Sequence, residues 1–345
     1  MSDRGQTFIL EVTEGCNNNC IHCYNIWRKA GRSREGEMSA KEIGNLILKL
    51  KNEVKIGTIG ISGGEPFVRD DIPEIVSSIA DEEIALLILT NGTMLTEEKV
   101  EATYLYSSYE VPLLSYKKEV HNRLVRAEAF DRTIKGLANI CHYGGNWYAS
   151  FVATKLNYAD LMRTAELAIA FGTRGLMYNR LNLSEANIRY ADLLMPTVDM
   201  LKENLDTLCS LVDKYGLPIS LGVPIPPCLI DIKDYPELHF GWCPAGREGS
   251  YYTIDPRGNL RICNHSAVIL GNLGEESFNE LADKPYVHKF RDTLPGQCQN
   301  CESEFRDECR GGCKAASEVC YHTIDEVDPF VKISLGVGSI RDSQN

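Results

Sequence analysis

Three cysteine thiols stand close together near the start of the chain, in the order Cys16, three residues, Cys20, two residues, Cys23. The loop that holds them is short and polar, and it follows the alternating apolar segment 8–12. Thiolates at this spacing can bind three irons of a four-iron four-sulfur cluster and leave the fourth iron without a protein ligand. A structural zinc site normally closes its tetrahedron with four ligands, so zinc is the weaker alternative. An iron with an open position is a place where chemistry can occur.

The same loop, with Tyr24 directly after Cys23, resembles the signature loop of the radical S-adenosylmethionine (SAM) enzymes. In that family the fourth iron chelates the amino and carboxylate groups of the methionine part of SAM. The resemblance implies that an electron enters the SAM sulfonium, breaks a C–S bond and leaves a 5′-deoxyadenosyl radical. This radical would abstract hydrogen from a substrate C–H bond. Buried or disulfide-bonded cysteines are the structural alternative for the loop.

A second motif, Gly63-Gly64-Glu65-Pro66, directly follows a predicted strand. Two consecutive glycines let the backbone approach a ligand closely, and Glu65 adds a carboxylate beside them. In radical SAM enzymes a GGEP segment at this place holds the SAM amino group. An ordinary strand-to-helix turn is the alternative, but the segment follows the cysteine loop by one strand–helix unit, as the family pattern requires.

Strands and helices alternate along the first part of the chain. The predicted strands are residues 8–12, 56–61, 84–89, 111–115, 147–154 and 175–178. Ser39 and Glu42 form a capping-box pattern before the first predicted helix. This alternation predicts an α/β fold with a parallel sheet covered by helices. Periodicity alone does not separate an open sheet from a barrel, and the resemblance implies a partial (β/α)6 TIM-like barrel with SAM across the C-terminal ends of the strands.

Further SAM contacts are expected at these strand ends and in the loops that follow them. Besides the Gly63–Pro66 segment, the expected SAM contacts are Tyr24, Asn91, Ser115, Arg126, Thr154, Asn157 and Asn179. Related enzymes with extra clusters carry a Ser-x-Asp sequence at the end of the fourth strand. Ser115 has no such aspartate after it, and a solvated polar loop is the alternative for Arg126.

Seven further cysteines crowd into the C-terminal part of the chain: Cys243, Cys263, Cys298, Cys301, Cys309, Cys313 and Cys320. Their order resembles the SPASM extension of radical SAM enzymes, which binds two auxiliary four-iron four-sulfur clusters. Residues 253–263 are predicted as a hairpin that presents Cys263 at its far end. A small zinc-stabilised domain is the alternative, but one tetrahedral site accounts for only four of these seven cysteines.

Matching positions with the SPASM extension divides these cysteines into two sets. The distal cluster would be bound by Cys298, Cys301, Cys309 and Cys320. The nearer cluster would be bound by Cys243, Cys263 and Cys313. Its last iron would be open or bound by Cys228 or His265, and we prefer the open iron. Together with the first loop, the resemblance implies three [4Fe-4S] clusters in addition to SAM.

Composition limits the class of protein and its surroundings. The chain has 345 residues, 43% of them hydrophobic, and a net charge of −12. It has no basic cluster and no apolar run near the roughly 20 residues of a bilayer span, so we expect neither a nucleic-acid nor a membrane partner. Thirteen cysteines without a signal-peptide pattern indicate a reducing, cytoplasmic location. The expected domains are the barrel 1–216, a bridge 217–242, the SPASM domain 243–325 and a tail 326–345.

The leading functional hypothesis is a radical SAM oxidoreductase or maturase that modifies a peptide through a thioether, a C–C crosslink or an oxidation. The alternative is a small-molecule dehydrogenase or epimerase that acts on a sugar, aminoglycoside or nucleoside-type metabolite. A non-enzymatic electron-transfer protein would leave the GGEP segment without a role. A reducing partner such as flavodoxin or ferredoxin is expected. The sequence does not identify a catalytic acid or base. Glu119, His121, Asp255 and His265 are candidates no stronger than ordinary surface residues.

Overall fold

The computed structural model describes residues 5–30, 35–80, 84–247 and 250–336. Its strands are β1 Gln6–Glu11, β2 Gly15–Cys16, β3 Lys29–Ala30, β4 Ile56–Ser62, β5 Ala85–Leu89, β6 Ser108–Pro112, β7 Trp147–Ala153, β8 Leu176–Arg180, β9 Ile219–Leu221, β10 His239–Phe240, β11 Tyr251–Ile254, β12 Asn259–Arg261 and β13 Ile269–Asn272.

Helices separate most of these strands. The α-helices are α1 Ala40–Glu53, α2 Ile72–Ile79, α3 Glu97–Glu101, α4 Lys118–Val125, α5 Phe130–His142, α6 Leu161–Ala170, α7 Ala191–Leu194, α8 Val198–Tyr215, α9 Phe278–Ala282, α10 Pro285–Asp292, α11 Arg306–Cys309, α12 Lys314–Tyr321 and α13 Pro329–Leu335. Short 3₁₀ helices lie at Pro66–Val68, Tyr158–Asp160, Ile188–Tyr190, Ile232–Asp234 and Gly296–Cys298.

The described residues form one large sheet of eleven strands, in the order β10-β9-β8-β7-β6-β5-β4-β1-β11-β12-β13. All neighbours from β1 through β10 in this order pair in parallel. Because successive parallel strands lie side by side, their C-terminal ends and the loops after them share one edge of the sheet. The predicted α/β fold with a parallel sheet is confirmed.

The fourth strand lies at Ser108–Pro112 rather than at 111–115. The buried apolar run does continue to Leu114, but the backbone there leaves the strand ladder. Leu114 N donates to His121 Nδ1 over 3.4 Å, and its carbonyl accepts from Asn157 Nδ2 over 2.8 Å. Side chains therefore take the place of a neighbouring strand as hydrogen-bond partners of the Leu114 backbone. The apolar character of the sequence alone did not indicate that the strand ends before this residue.

Residues 217–242 contribute more than a connection. They include β9 and β10, which extend the parallel array beyond the six predicted strands. The predicted tail contains α13, and residues 337–345 of it lie outside the described residues. Within the described ranges, no helix combines the length and the apolar character needed to cross a membrane.

The cysteine-rich part of the chain continues the same sheet on its other side. β11 pairs in parallel with β1, with Thr7 opposite Tyr251. β11 and β12 form the predicted hairpin, in which Thr253 faces Arg261 in antiparallel register, and Cys263 follows β12 closely. The hairpin is confirmed, and its pairing with β1 brings the C-terminal cysteines to the side of the sheet that carries the first cysteine loop.

Helix α1 belongs to the layer of helices that packs against the sheet, and its sequence determines where it begins and which face it buries. Ser39 Oγ accepts from Glu42 N over 3.3 Å, and Glu42 Oε2 accepts from Ser39 N over 2.8 Å, so the predicted capping box is present. One face of the helix is buried against the sheet and α2 through Ile43, Ile47 and Leu50. Each such aliphatic side chain stabilises the fold by about 1.5–3 kcal/mol. The helix thereby supports the strands whose ends carry the two sequence motifs.

Candidate active site

The first cysteine loop crosses the C-terminal ends of the parallel strands. Where it leaves β1, Val12 N donates to Ser62 O at the end of β4 over 2.9 Å. Farther along, Asn19 N donates to Val125 O at the end of α4 over 3.1 Å. Hydrogen bonds therefore hold the loop against two separate elements of the barrel.

The three thiols of this loop lie within electrostatic range of one another. Burial raises the pKa of Cys16 to about 11, with a smaller contribution from Cys23. Burial also raises the pKa of Cys20, and the thiols of Cys23 and Cys16 add to that shift. The guanidinium of Arg28 opposes the shift in pKa at all three thiols, and it donates to Asn18 O over 2.6 Å. A cation at this place favours the thiolate, which is the form that binds iron.

Several buried polar atoms of the loop have no hydrogen-bond partner within the described residues, namely Asn18 Oδ1, His22 Nδ1, Trp27 Nε1 and Arg28 Nε. A buried polar atom without a partner costs roughly 1–3 kcal/mol, so these atoms fit a loop that closes around a further polar group. A set of three thiols fits an iron–sulfur cluster. In the part of the chain that is described, no group of three or more His, Cys, Asp or Glu side chains is arranged so that it could hold a single metal ion. Cluster binding by this loop remains a prediction.

Gly63 and Gly64 let the GGEP turn pack directly on the cysteine loop. Gly64 N donates to Thr13 O, and Glu65 N donates to Gly15 O, both over 2.8 Å. A Cβ atom on Gly64 would lie 2.1 Å from Gly15 O, and one on Gly63 would lie 2.3 Å from Thr13 O. Only glycine therefore allows this approach of the two backbones. A backbone contact between the turn and SAM stays a prediction.

The Glu65 carboxylate points into the protein, and the residue is 1% exposed. It accepts from Thr90 Oγ1 over 2.7 Å, from Phe67 N over 3.1 Å and from Asn91 N over 2.6 Å. Burial raises the pKa of this carboxyl group, and the three donors oppose that shift. Asn91 Nδ2 donates to Asn17 Oδ1 in the cysteine loop over 2.8 Å. Glu65 and Asn91 thus link the turn, the end of β5 and the loop, and direct contacts of either residue with SAM stay predictions.

Ser115 lacks the nearby aspartate of the family pattern, but it has an aspartate partner from another part of the chain. Ser115 Oγ donates to Asp160 Oδ2 over 2.7 Å, and Lys117 Nζ pairs with Asp160 Oδ1 over 2.6 Å. At the next strand end, Asn157 Oδ1 accepts from the backbone and hydroxyl of Thr154, both over 2.7 Å. Ser115, Thr154 and Asn157 are all at most 1% exposed. They stabilise the ends of β6 and β7, and their contacts with SAM stay predictions.

Arg126 and Asn179 lie at the outer parts of the same edge. Arg126 is exposed directly after α4, beside the cysteine loop, and its Nη1 donates to Tyr190 OH over 3.0 Å. Asn179 Oδ1 accepts from Val223 N over 3.0 Å and so holds the chain that leaves β9. Neither side chain is fully buried, in contrast to Ser115: Arg126 is exposed and Asn179 is half-buried.

Tyr24 connects the cysteine loop to the C-terminal hairpin. Its ring lies 4.3 Å from the ring of His265, measured between centroids, and its hydroxyl accepts from Asn264 Nδ2 over 2.9 Å. Beside it, Glu11 of β1 and Arg261 of β12 form a buried ion pair. The first loop and the C-terminal cysteines are therefore joined through side chains at this place.

The predicted nearer set, Cys243, Cys263 and Cys313, stays a prediction, and its three thiols lie within electrostatic range of Tyr251. Burial raises the pKa of the Tyr251 hydroxyl well above its usual range, and all three thiols add to the shift. Asn182 Nδ2 donates to Cys313 Sγ over 3.1 Å, while Asn182 Oδ1 is buried without a partner among the described residues. The donor set and this polar atom fit a second cluster site close to the first loop.

The predicted distal set, Cys298, Cys301, Cys309 and Cys320, stays a prediction. Cys301 N donates to Cys298 O over 3.2 Å. Burial raises the pKa of Cys309 to about 12, and Cys228 and Cys298 add to that shift. Burial also raises the pKa of Cys298 to about 11, with added effects of Cys301 and Cys228. Cys320 is buried near the end of α12, where Asp328 and Cys313 add to the rise in its pKa that burial causes.

Comparison with known proteins shows which families the two parts of the chain match. Residues 10–168 match the radical SAM superfamily, and residues 243–302 match the iron–sulfur cluster-binding SPASM domain. The chain belongs to the radical SAM superfamily. Its C-terminal part is a SPASM domain, and the predicted family, domain and enzyme class are confirmed. Membership also establishes SAM and iron–sulfur clusters as the cofactors of this radical SAM enzyme.

Similar radical SAM proteins cover most of the chain. It is 28% identical to the mycofactocin maturase MftC of Mycolicibacterium smegmatis, over 92% of this chain and 80% of that protein. It is 26% identical to the AdoMet-dependent heme synthase of Methanosarcina barkeri, over 96% of this chain and 97% of that protein. Among solved structures, Streptococcus suis SuiB bound to its precursor peptide SuiA has the same fold, with a TM-score of 0.76 and 17% identity over 94% of this chain and 75% of that chain.

Sequence reasoning missed several residues that hold the radical SAM site together. These residues are Arg28, Asp160, Glu11 and Arg261, and the partners they contact cannot be predicted from their spacing in the sequence. Glu11 and Arg261, for example, are 250 positions apart. Asn17 was missed as well, although its place within the cysteine motif was a signal that could have indicated its contact with Asn91 at a neighbouring strand end.

The structure also shows where the four acid–base candidates of this radical SAM enzyme lie. The Asp255 carboxylate accepts from Arg257 N over 2.8 Å and from Asn259 N over 3.0 Å, so it closes the hairpin turn. Burial lowers the pKa values of His121 and His265 to about 4, which keeps both rings neutral at neutral pH. Glu119 is exposed on α4. None of these contacts assigns a catalytic role.

Proposed function

We propose that this radical SAM enzyme cleaves SAM reductively and uses the 5′-deoxyadenosyl radical to abstract hydrogen from a C–H bond of a peptide. The observation that supports this most is the similarity to mycofactocin maturase, which covers 92% of the chain. A similarity of that extent includes both the barrel and the SPASM domain rather than one shared motif. The fold of SuiB, solved with its precursor peptide, is consistent with a peptide as substrate.

In this proposal the residues of the chain position the reactants. The thiols of Cys16, Cys20 and Cys23 would hold the first cluster, and Arg28 would favour their thiolate forms. When bound, that cluster would supply the electron that cleaves SAM. The Gly63–Gly64 turn, fixed from behind by the hydrogen bonds of Glu65, would offer its backbone to the SAM amino group.

We also propose two auxiliary clusters in the SPASM domain, three clusters in all, and a flavodoxin or ferredoxin as reductant. The nearer auxiliary cluster would be held by Cys243, Cys263 and Cys313. We keep the division into residues 1–216, 217–242, 243–325 and 326–345 as a proposal, with β9 and β10 of the second segment belonging to the sheet of the first. The contacts of Tyr24 with Asn264 and His265 support a close connection between the first loop and the nearer cluster.

The first test is SAM cleavage by the anaerobically reconstituted full chain. We expect 5′-deoxyadenosine to form after reduction with dithionite, and alanine at Cys16, Cys20 or Cys23 to abolish it. Cys141→Ala is the matched control, because Cys141 is exposed on α5 and belongs to none of the three predicted sets of thiols. A cysteine-loop variant that still cleaves SAM would overturn the proposed site.

The second test identifies the substrate class. Uniformly deuterated peptide mixtures and a deuterated extract of small metabolites would be incubated separately with the enzyme and unlabelled SAM. Hydrogen abstraction from a substrate places deuterium in 5′-deoxyadenosine, which mass spectrometry detects. We expect deuterium from the peptide mixture, and deuterium from the metabolite extract alone would overturn the peptide proposal.

A small-molecule substrate is the second candidate, and one comparison favours it. The heme synthase of Methanosarcina barkeri matches over 97% of its own length, more than the 80% found for the maturase. A tetrapyrrole is therefore the small molecule to test separately. Binding would change its visible absorbance on addition of the enzyme, and deuterium transfer from a labelled tetrapyrrole would establish it as the substrate.

A further inference from the structure

We propose that Glu110, on β6, binds a basic side chain of the peptide substrate, a lysine or an arginine, inside the barrel. The inference rests on the proposed peptide function and specifies the chemical class of residue that the substrate must carry. Glu110 lies outside both sequence motifs and is not one of the predicted SAM contacts.

The residues on either side of Glu110 face the helices. Tyr109 and Val111 are both 0% exposed. Tyr109 OH lies 2.6 Å from Thr103 Oγ1, shortly after α3. A Cβ atom on Gly92 would lie 3.0 Å from Val111 Cγ1 and 3.3 Å from a threonine of α5. Because successive side chains of a strand alternate between its two faces, Glu110 projects to the opposite, inner face, and it is only half-buried there.

The strand register gives Glu110 its neighbours on this inner face. It pairs with Leu89 of β5 and with Tyr148 of β7, and paired residues of parallel strands project to the same side. A Cβ atom on Gly60 would lie 3.3 Å from Leu89 Cδ1 and 2.8 Å from Ile9 Cδ1, so β1, β4 and β5 face one common space. This inner face, the lumen, includes Ile9, Gly60, Leu89, Glu110, Tyr148, Ser150 and Met177.

Glu110 is close to the strand ends where SAM is proposed to bind. Thr90 N donates to Glu110 O over 3.0 Å, and Thr90 Oγ1 donates to the Glu65 carboxylate of the GGEP turn over 2.7 Å. Only β5 separates β6 from β4 in the sheet. Neighbouring strands are about 4.8 Å apart, so the turn at the end of β4 is roughly 10 Å across the sheet from β6. A substrate side chain that enters the lumen beside SAM can therefore reach Glu110.

The carboxyl group of Glu110 has no cationic partner among the described residues. Glu11, on the same face of β1, is paired with Arg261. Burial raises the pKa of Glu110 to about 7, and a hydrogen bond with Ser150 opposes that shift. No charged side chain of the described residues, from β5, β7 or any other element, contributes to it. A carboxylate in such surroundings is stabilised by a cation that pairs with it.

The walls of the lumen favour a long basic side chain over a small cation. Ile9, Leu89 and Met177 present apolar surface on which the methylene groups of lysine or arginine can pack, while the charged end pairs with Glu110. The net charge of −12 also attracts a basic peptide. An acidic side chain would be repelled by Glu110, and an apolar one would leave the carboxylate without a counter-charge.

The test measures binding of four pools of dye-labelled pentapeptides to the anaerobically reconstituted full chain in the presence of SAM. Each pool has lysine, arginine, norleucine or glutamate at its centre and random uncharged residues around it, and fluorescence anisotropy reports the affinity. Above neutral pH we expect the two basic pools to bind about tenfold or more tighter than the norleucine pool. Glu110→Gln should abolish this preference. Glu203→Gln is the matched control, because it removes the same charge from an exposed position of α8.

Proton release on binding gives a second readout that needs no variant. Near pH 7 the free carboxyl group is partly protonated, and it must lose this proton to pair with a cation. Calorimetry with the lysine pool, in buffers of different ionisation enthalpy, should therefore show protons released near pH 7, and the affinity should rise as the pH increases through about 7. A purely structural role of Glu110 would release none.

Three results would overturn the inference: equal binding of all four pools or of none, a preference that persists in Glu110→Gln, or binding of the lysine pool without proton release near pH 7. The deuterium-transfer experiment then shows whether the peptide function stands without it. Deuterium from the peptide mixture would leave that function in place, whereas deuterium from the metabolite extract alone would overturn both proposals.

Discussion

The carboxylate of Glu11 and the guanidinium of Arg261 form an ion pair between β1 of the barrel and β12 of the SPASM hairpin. The two side chains are 2% and 1% exposed. Arg261 Nη1 also donates to Ser266 O over 3.1 Å, and the guanidinium lies 5.9 Å from the ring of Trp27. The buried ion pair thus connects β1, which leads into the first cysteine loop, with β12, which leads to Cys263.

Replacing Glu11 by Gln should destabilise the protein strongly. The change leaves the buried Arg261 cation without its counter-charge, which costs about 3–5 kcal/mol. Urea unfolding of the cluster-loaded protein under anaerobic conditions measures this as a change in the free energy of unfolding. Lys214→Ala is the control, since the Lys214–Glu166 pair is exposed and solvent screens it, so its loss should change the stability little. Equal, small effects of the two changes would show that the buried pair does not stabilise the connection between β1 and β12.

Replacing Gly64 by Ala should separate the GGEP turn from the cysteine loop. The new Cβ atom would lie 2.1 Å from Gly15 O, so one of the two backbones must move. We expect SAM cleavage to fall by about tenfold or more, a change in barrier of at least about 1.4 kcal/mol. Gly296→Ala is the control, because a Cβ atom there meets nothing within 4 Å and its backbone does not have a positive φ. Unchanged SAM cleavage in Gly64→Ala would contradict a role for this turn in placing SAM.

The sequence alone predicted the α/β class, the parallel order of the first strands and the hairpin before Cys263. These features depend on local patterns: apolar periodicity, the capping box at Ser39 and the turn that Asp255 closes. The two motifs at residues 16–24 and 63–66 were found because the residues that carry their chemistry lie close together in the sequence. Such signals need no knowledge of distant contacts.

The remaining features depend on distant contacts, which spacing does not report. The ion pair of Glu11 with Arg261 joins residues that are far apart in the chain. β9 and β10 are too short to give a periodic signal, so the segment after residue 217 was predicted as a connection. The partner of Ser115 also comes from another element, because Asp160 supplies the carboxylate that the family pattern places near the serine.

Arg28 should set the electrostatic environment of the first cysteine loop. Its guanidinium opposes the rise in pKa that burial causes at all three thiols, so it should also favour the reduced, more negative form of a bound cluster. We expect Arg28→Gln to lower the reduction potential of that cluster by tens of millivolts, on the order of 1 kcal/mol for a unit charge at this range. A spectroscopic redox titration measures it. Arg28→Lys should keep most of the potential, and a shift of the same size in both variants would show that charge is not the cause.

His121 should make the stability of the protein depend on pH in the acidic range. It is 2% exposed, Leu114 N donates to its Nδ1, and burial lowers its pKa to about 4 from the ordinary 6.5. A histidine with a lowered pKa stabilises the fold fully above pH 6.5, and this stability is lost as the pH falls toward 4, because the unfolded chain takes up the proton first.

Between pH 7 and pH 5 the free energy of unfolding should fall by about 2 kcal/mol, because the pKa of His121 is lower in the folded protein than in the unfolded chain. Urea unfolding at a series of pH values in that range measures it, and His121→Gln should flatten the dependence by this amount. His142→Gln is the control, since His142 is exposed at the end of α5 and its replacement should leave the dependence unchanged. If His121→Gln keeps the full pH dependence, protonation of another group causes it, and the ring of His121 is not held neutral by its buried position behind the cysteine loop.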